Sequence, residues 1–300
     1  MIYDLRLMMV VLLSASGLGQ VAYAETLLRW KFVEGDAWQI TVDQHTTTAT
    51  TGAGKPTGID ITMQLQLSWA VDSVDSEGTA QITQQIERFS VTMRAGAAEP
   101  VEYASDSETK PSGSAADIAA AVEPVIGANF VVTMSNRGAI REVKLSDAAA
   151  EAFAAIDSPA LKQLFSPEGI SRLLAQSAVE LPEAAISVDG SWTQSSKIPS
   201  TLGTLKQDRA YTLVGQEETE GKMLERIEIT GELVVEPSEQ APGSSKLVDQ
   251  DLTGELLFDA GAGRLVSSQS KQKFVTERPY REFKIRVETT AETKTTLSPR

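Results

Sequence analysis

The chain carries one histidine, His45, and no cysteine. A structural or catalytic zinc centre draws three or four ligands largely from these two residue types, so the common zinc sites cannot be assembled here. A Ser-His-Asp hydrolase would have to use His45, which lies at the start of a Thr-rich stretch, and no G-x-S-x-G motif accompanies it. Asp72, Asp75 and Glu77 form an oxygen-rich cluster. Their spacing departs from the calcium-loop pattern, and Gly78 reads as the residue that turns the chain. Gly261-Ala262-Gly263-Arg264 has the small residues and the cation of a phosphate cradle. Such a cradle needs a helix after the glycines. Leu265 to Phe274 alternates instead of showing a helical stripe, so Asp259, Gly261 and Gly263 read as a β-hairpin loop.

Carboxylates are abundant, with 41 Asp and Glu, but none is singled out as an acid–base pair. A paired-carboxylate hydrolase of an exported polymer therefore stays open as an alternative. Aromatic residues make up 6% of the chain. Trp30, Trp38 and Trp69 fall in alternating segments and, with Trp192, read as core rather than as sugar platforms. Lys271, Lys273, Arg278, Arg281, Lys284 and Arg286 are the one basic concentration. They read as a solvated face that blunts an edge strand, with a docking patch for an acidic partner as the functional alternative. No catalytic, cofactor-binding or metal-ligating residue is assigned.

The elements that would position any site are strands. Ile59, Ile61, Met63, Leu65, Leu67, Trp69 and Val71 occupy every odd position of one run, with polar residues between them. A period of two over this length means one dry face and one wet face. Leu28, Trp30 and Phe32 alternate too, and Glu34-Gly35-Asp36 leads to Trp38, Ile40 and Val42, which predicts a hairpin. Thr46 to Lys55 reads as its mobile end. Ala80, Ile82 and Ile86 are apolar at even positions, but Phe89, Val91 and Met93 at odd ones. That change of phase predicts a β-bulge at Glu87-Arg88. Residues 96–116, rich in Gly, Pro, Ser and acids, read as a flexible loop. Asp117 then caps a short helix, Ile118–Glu123, ended by Pro124.

Phe130–Met134, Ser135–Gly138 and Ile140–Val143 form a further hairpin. Ser146 or Asp147 caps Ala148–Ile156. Two more helices open at Ser158-Pro159 and Ser166-Pro167. From Trp192 onward the pattern returns to strands, with Gly221 at one turn. Strands, then helices, then strands argue an α+β fold dominated by antiparallel β-structure. The expected architecture is two half-barrel-like meander sheets flanking a short helical segment. Residues 25–300 form one domain, in which 25–145 and 188–300 are two similar lobes joined by helices 147–178.

Residues 1–24 combine Arg6, the apolar run Leu7–Leu13 and Ala22-Tyr23-Ala24, the features of a secretory signal cleaved after Ala24. The run is shorter than the roughly 20 residues of a membrane span, so stable membrane insertion after cleavage is not expected. The chain's net charge is −14, which repels nucleic acid and anionic surfaces. Export, to the periplasm or beyond the cell, is the expected localisation.

Four stretches in fixed order carry a resemblance. They are Pro124-Val-Ile-Gly-Ala-Asn-Phe-Val-Val-Thr-Met-Ser-Asn-Arg-Gly-Ala-Ile-Arg-Glu-Val143, Val188-Asp-Gly-Ser-Trp192, Tyr211-Thr-Leu-Val-Gly215 and Gly254–Leu265. Together they resemble a family of exported bacterial proteins described only as a domain of unknown function. The resemblance implies secretion and a β-rich fold, and it brings no catalytic residues. The expected function is that of an exported non-catalytic protein binding an apolar ligand or a protein partner in a space between sheet and helices. A structural envelope component is a further alternative.

Overall fold

The computed structural model describes residues 25–52, 55–154, 169–170, 174, 178–200, 203–236 and 246–300. The expected signal, the helix opened by Ser158-Pro159 and most of the one opened by Ser166-Pro167 lie outside these residues, as does most of the polar connector 236–245. The strands are β1 (Ala37–Thr51), β2 (Thr57–Val74), β3 (Ala80–Ala95), β4 (Val101–Ala104), β5 (Asn129–Met134) and β6 (Ile140–Leu145) in the first half. The second half contains β7 (Ser191–Ser200), β8 (Gly203–Thr219), β9 (Lys222–Glu236), β10 (Lys246–Asp259), β11 (Arg264–Tyr280) and β12 (Phe283–Pro299). Two short helices, α1 (Ser114–Val122) and α2 (Asp147–Ala154), lie between β4 and β7.

These strands form one sheet, not the two that the sequence pattern suggests. Its order is β6-β5-β3-β2-β1-β12-β11-β10-β9-β8-β7, with β4 added beside β3. The join is the antiparallel pairing of the first and last strands, from Trp38 opposite Pro299 to Thr51 opposite Arg286. Residues 25–145 and 188–300 are thus the two wings of a continuous sheet. Among the described residues the helical content is small, so the α+β label holds only in the coarse sense of a mostly antiparallel β-protein with short helices.

Alternation places one face inward. Trp38, Ile40 and Val42 of β1 stand opposite Trp69, Leu67 and Leu65 of β2. The ladder between β2 and β3 slips where Gln66 pairs with Arg88 but Leu67 pairs with Ile86. Glu87 is the extra residue of the expected bulge, and the slip keeps Ile86 and Phe89 on the same inner face. Thr46 to Thr51 are not a mobile hairpin end: they lie in β1, paired on one side with β12 and through Thr50 with β2 on the other.

Leu28, Trp30 and Phe32 are buried as their alternation implies, but their segment belongs to no strand. It bonds in turn to separate parts of the molecule. Thr26 exchanges backbone bonds with Ile186, Trp30 N–H donates to Asn136 O at 2.7 Å, and Lys31 N–H donates to Gly263 O at 2.9 Å. A segment that meets a new partner every few residues cannot build a ladder. It does close the hollow of the sheet. β2 and β10 are four strands apart, which is about 19 Å across a flat sheet. Yet the Trp30 ring lies 6.2 Å from Trp69 on β2 and 6.0 Å from Phe258 on β10, centroid to centroid. The sheet therefore curls around this segment, and a single core cluster holds residues from both wings, including Ile82, Val132, Tyr211 and Phe258.

The β10–β11 hairpin confirms the reading of the glycine stretch. Asp259 accepts backbone bonds from Ala262 and Gly263, and Lys31 Nζ donates to the carbonyls of Ala260 and Gly261. Gly263 has φ +65°, and a Cβ there would lie 2.6 Å from Lys31 N. Both conformation and space demand glycine.

Other local expectations shift by a few residues. Within 96–116, Val101–Ala104 pairs with β3 and helix α1 begins at Ser114. Its cap position is Gly113, and Asp117 lies in the first turn instead of capping it. The helix packs Ala119 against Val91 and Tyr103, which gives this apparently polar stretch a core of its own. Helix α2 begins beside Ser146, whose Oγ accepts the Ala149 N–H.

Candidate functional site

Three features could serve function: a cavity inside the curled sheet, a groove on its outer face and the basic strands. Of the last, Lys271, Lys273, Lys284 and Arg286 form ion pairs, and Arg281 lies over the Tyr280 ring. Lys271 meets Glu292 at 2.7 Å, Lys273 meets Asp249 at 3.2 Å, and Arg286 meets Glu277 at 3.2 Å. Charges that look concentrated in one strand are balanced by acids on its neighbours. β11 and β12 are also interior strands, so edge protection is not their role. The sheet ends at β6 and β7.

The outer groove has a volume of about 630 Å³ and lies across β1, β12, β11, β10 and β9. Glu228 and Glu255 line it, facing each other across the β9–β10 ladder. Arg226 Nη1 reaches both, at 3.4 and 3.0 Å. Glu292 is held below the usual carboxylate range, first by its hydrogen bond from Lys271. His45 also lines the groove, with Nε2 2.9 Å from Asp60 Oδ2. Its side-chain partner is this carboxylate.

The Asp72, Asp75 and Glu77 cluster is a turn. Asp75 Oδ1 accepts the N–H groups of Glu77 and Thr79, each at 2.9 Å. Asp72 accepts instead from Thr83. Among the described residues no group of three or more His, Cys, Asp and Glu could hold a metal ion. The Thr79 amide, more than any other group, lowers the Asp75 pKa. Asp106 beside Arg88 and Asp208 beside Lys206 are lowered too. A carboxyl with a depressed pKa in the folded chain contributes stability above the unfolded value near 3.9, and loses it as pH falls toward the folded value. We expect Asp75→Asn to lower the urea midpoint at pH 7, by a gap to the parent protein that narrows once pH falls below the unfolded value near 3.9. Urea titrations at pH 7 and at several lower pH values check this; a gap that stays constant throughout would show that ionisation of Asp75 contributes nothing.

The cavity lies between the inner face and the segments that cross it. Its volume is about 200 Å³. Ile40, Leu67 and Leu297 floor it, Leu256 and Phe258 form one wall, Met134 and Ile140 the other, and Trp30, Val179 and Leu181 cover it. Among the described residues, no charged side chain lines it. The covering segment is anchored through the β5–β6 turn. Leu181 N–H donates to Arg137 O at 2.7 Å, Arg137 Nε donates back to Leu181 O at 2.8 Å, and the Arg137 guanidinium pairs with Glu180 and Glu183. Gly138 in that turn lets the Val179 carbonyl pack closely, since a Cβ would lie 2.4 Å from its oxygen.

Trp69, Gln84, Ser268 and Thr295 put polar groups into the otherwise apolar lining. Trp69 and Gln84 are direct neighbours across the β2–β3 ladder, and both line the cavity. The sequence reading placed Trp69 in the core and passed over Gln84. A signal was present, because Gln84 breaks the series Ala80, Ile82, Ile86 at a position of the apolar phase.

Among the described residues, no helix is long and apolar enough to cross a membrane. No curated protein matches the sequence significantly. Among solved structures the chain is similar to lipovitellin, at 12% identity and a TM-score of 0.48, over 89% of this chain and 25% of the lipovitellin chain. The present chain thus spans about a quarter of that protein's length. It is also similar to a protein of YmcC-like fold from Bacteroides fragilis, at 10% identity and a TM-score of 0.25, over 90% and 97% of the two chains. A DUF1329 family protein from Desulfovibrio piger follows at 13% identity and a TM-score of 0.19, over 86% and 83%. The model of a family of unknown function, DUF6263, matches residues 77–257. That span takes in the 124–143, 188–192 and 211–215 stretches on which the sequence resemblance rests, and the chain belongs to this family.

Proposed function

We propose that the protein, once exported, is a non-catalytic carrier or receptor that holds a small apolar molecule between the inner face of its sheet and the crossing segments. The observation that carries this reading is the cavity under Trp30, Val179 and Leu181, whose described lining carries no charge. A well-packed interior fills such space with side chains. An apolar cavity of about 150 Å³ suffices to bind benzene, and this one is larger. Export rests on the leader-like residues 1–24.

The paired-carboxylate hydrolase has one observation in its favour, the meeting of Glu228 and Glu255 in the outer groove. Glycoside hydrolysis sets apart an acid and a base or nucleophile, whereas here one guanidinium engages both carboxylates. This arrangement favours the non-catalytic reading.

The test is thermal unfolding of delipidated protein with benzene, ethylbenzene and short fatty alcohols, together with mass spectrometry of an organic extract of the purified protein. A midpoint that rises with probe concentration is expected, as mass action requires of anything that binds the folded state. No rise with any probe and an empty extract would overturn the carrier. Turnover of an exported polysaccharide that is lost in Glu255→Gln would instead favour the hydrolase.

A further inference from the structure

We infer that Trp69 and Gln84 are the polar end of the apolar cavity and select an uncharged ligand head that both accepts and donates a hydrogen bond, a hydroxyl or a primary amide on an apolar body. The inference rests on the reading of the cavity as a ligand site and deepens it.

Gln84 is 1% exposed. Among the described residues neither its Nε2 nor its Oε1 has a hydrogen-bond partner, and neither does Trp69 Nε1. Leaving one such group unbonded costs about 1–3 kcal/mol, and buried polar groups are bonded in the great majority of cases. The molecule itself supplies the contrast. On the far wing, Trp192 and Gln194 of β7 also face inward. There Trp192 Nε1 donates to Glu180 O at 2.8 Å, and Gln194 Nε2 donates to Ala178 O at 3.1 Å. The same segment that satisfies that pair passes over the cavity without bonding Trp69 or Gln84.

The free atoms define the complementary chemistry. The indole supplies one N–H, and the amide supplies two N–H groups and a carbonyl oxygen. A ligand hydroxyl can accept from the indole or the amide N–H and donate to the amide oxygen, and a primary amide can do the same. With no charged residue among the described lining residues, a carboxylate or ammonium head would meet no counter-ion from them and be buried at a far higher cost. The apolar body would then lie along Leu67, Ile40 and Phe258.

Calorimetry on the delipidated full chain tests this with benzyl alcohol, its isostere ethylbenzene, and benzoate at neutral pH. Gln84→Leu is expected to weaken benzyl alcohol about tenfold relative to ethylbenzene, the loss of one to two neutral hydrogen bonds. Trp69→Phe keeps the ring, removes the N–H, and should shift the same ratio in the same direction by several-fold. Benzoate should bind more weakly than benzyl alcohol. The ligand-free Gln84→Leu protein should unfold no earlier than its parent. If ethylbenzene and benzyl alcohol bind with a ratio that neither substitution changes, or if benzoate binds best, the inference fails while the carrier stands. A ligand-free Gln84→Leu protein that unfolds markedly earlier would assign the amide to the fold and overturn the inference as well. Binding of none of the three probes would overturn the inference, and together with an empty organic extract and no response to the short fatty alcohols it would remove the carrier itself.

Discussion

Trp30→Ala is expected to lower the unfolding free energy by about 3–5 kcal/mol, the range for truncating a large buried aromatic. The indole is 8% exposed. It stacks on Phe32 at 5.5 Å, meets Phe258 edge-on at 6.0 Å and lies 6.2 Å from Trp69. Those contacts come from both wings of one sheet and from the segment between them, so collapse around the lost ring would require the curvature of the sheet to change. The substitution should also enlarge the cavity that Trp30 covers, so that apolar probes larger than ethylbenzene bind better to the variant than to its parent. Urea denaturation and calorimetry check the two effects. A loss below about 1 kcal/mol would show that the ring does not hold the wings together.

Gly138→Ala should cost about 2–4 kcal/mol and weaken probe binding. Gly138 has φ +93°, where a side chain is strained, and a Cβ would press on the Val179 carbonyl oxygen at 2.4 Å and on the Trp30 indole nitrogen at 3.1 Å. Strain and overpacking each carry a penalty of about 1–3 kcal/mol. The clash can be relieved only by moving the covering segment, which is tied to the same turn by the reciprocal bonds of Arg137 and Leu181. Gly127→Ala is the control: its φ is +77°, but nothing lies within 4 Å of the added Cβ. The control should lose about 1 kcal/mol and keep its probe affinity. Equal losses at the two glycines would mean that the cover yields without cost.

Much of the local structure was legible because each β-strand writes its own period. The run from Ile59 to Val71 predicts one dry face; in the fold Ile61 to Val71 lie on the inner side of β2, while Ile59 at its end is exposed. The phase change between Ile86 and Phe89 predicts the bulge at Glu87, because a slip of one residue would otherwise turn every later side chain outward. Turn glycines were legible for the same local reason. Residues 96–116 were not, since the few apolar groups there, such as Tyr103, become a core only against Val91 of β3 and Ala119 of α1.

The basic residues of β11 and β12 show a related limit. Lys271 and Glu292 are adjacent only through the pairing of β11 with β12, so a charge count along one strand mistakes a balanced surface for a basic one. At Gln84 the local signal was present, a polar residue in an apolar phase. Its meaning depended on Trp69 beside it and on the segment that passes above without bonding either.

By itself the sequence determined the strands, their wet and dry faces, most of the turns, the family and the absence of thiol and multi-histidine chemistry. These follow from residue type and near-neighbour spacing. Tertiary structure alone decided that the two wings are one sheet, that Leu28 to Phe32 close its hollow without joining it, and that a mainly apolar cavity lies beside Trp69 and Gln84. The physical reason is distance along the chain: β1 and β12 are joined by backbone hydrogen bonds, which carry no sequence signature. The hollow they create exists only once both wings have curled around Trp30.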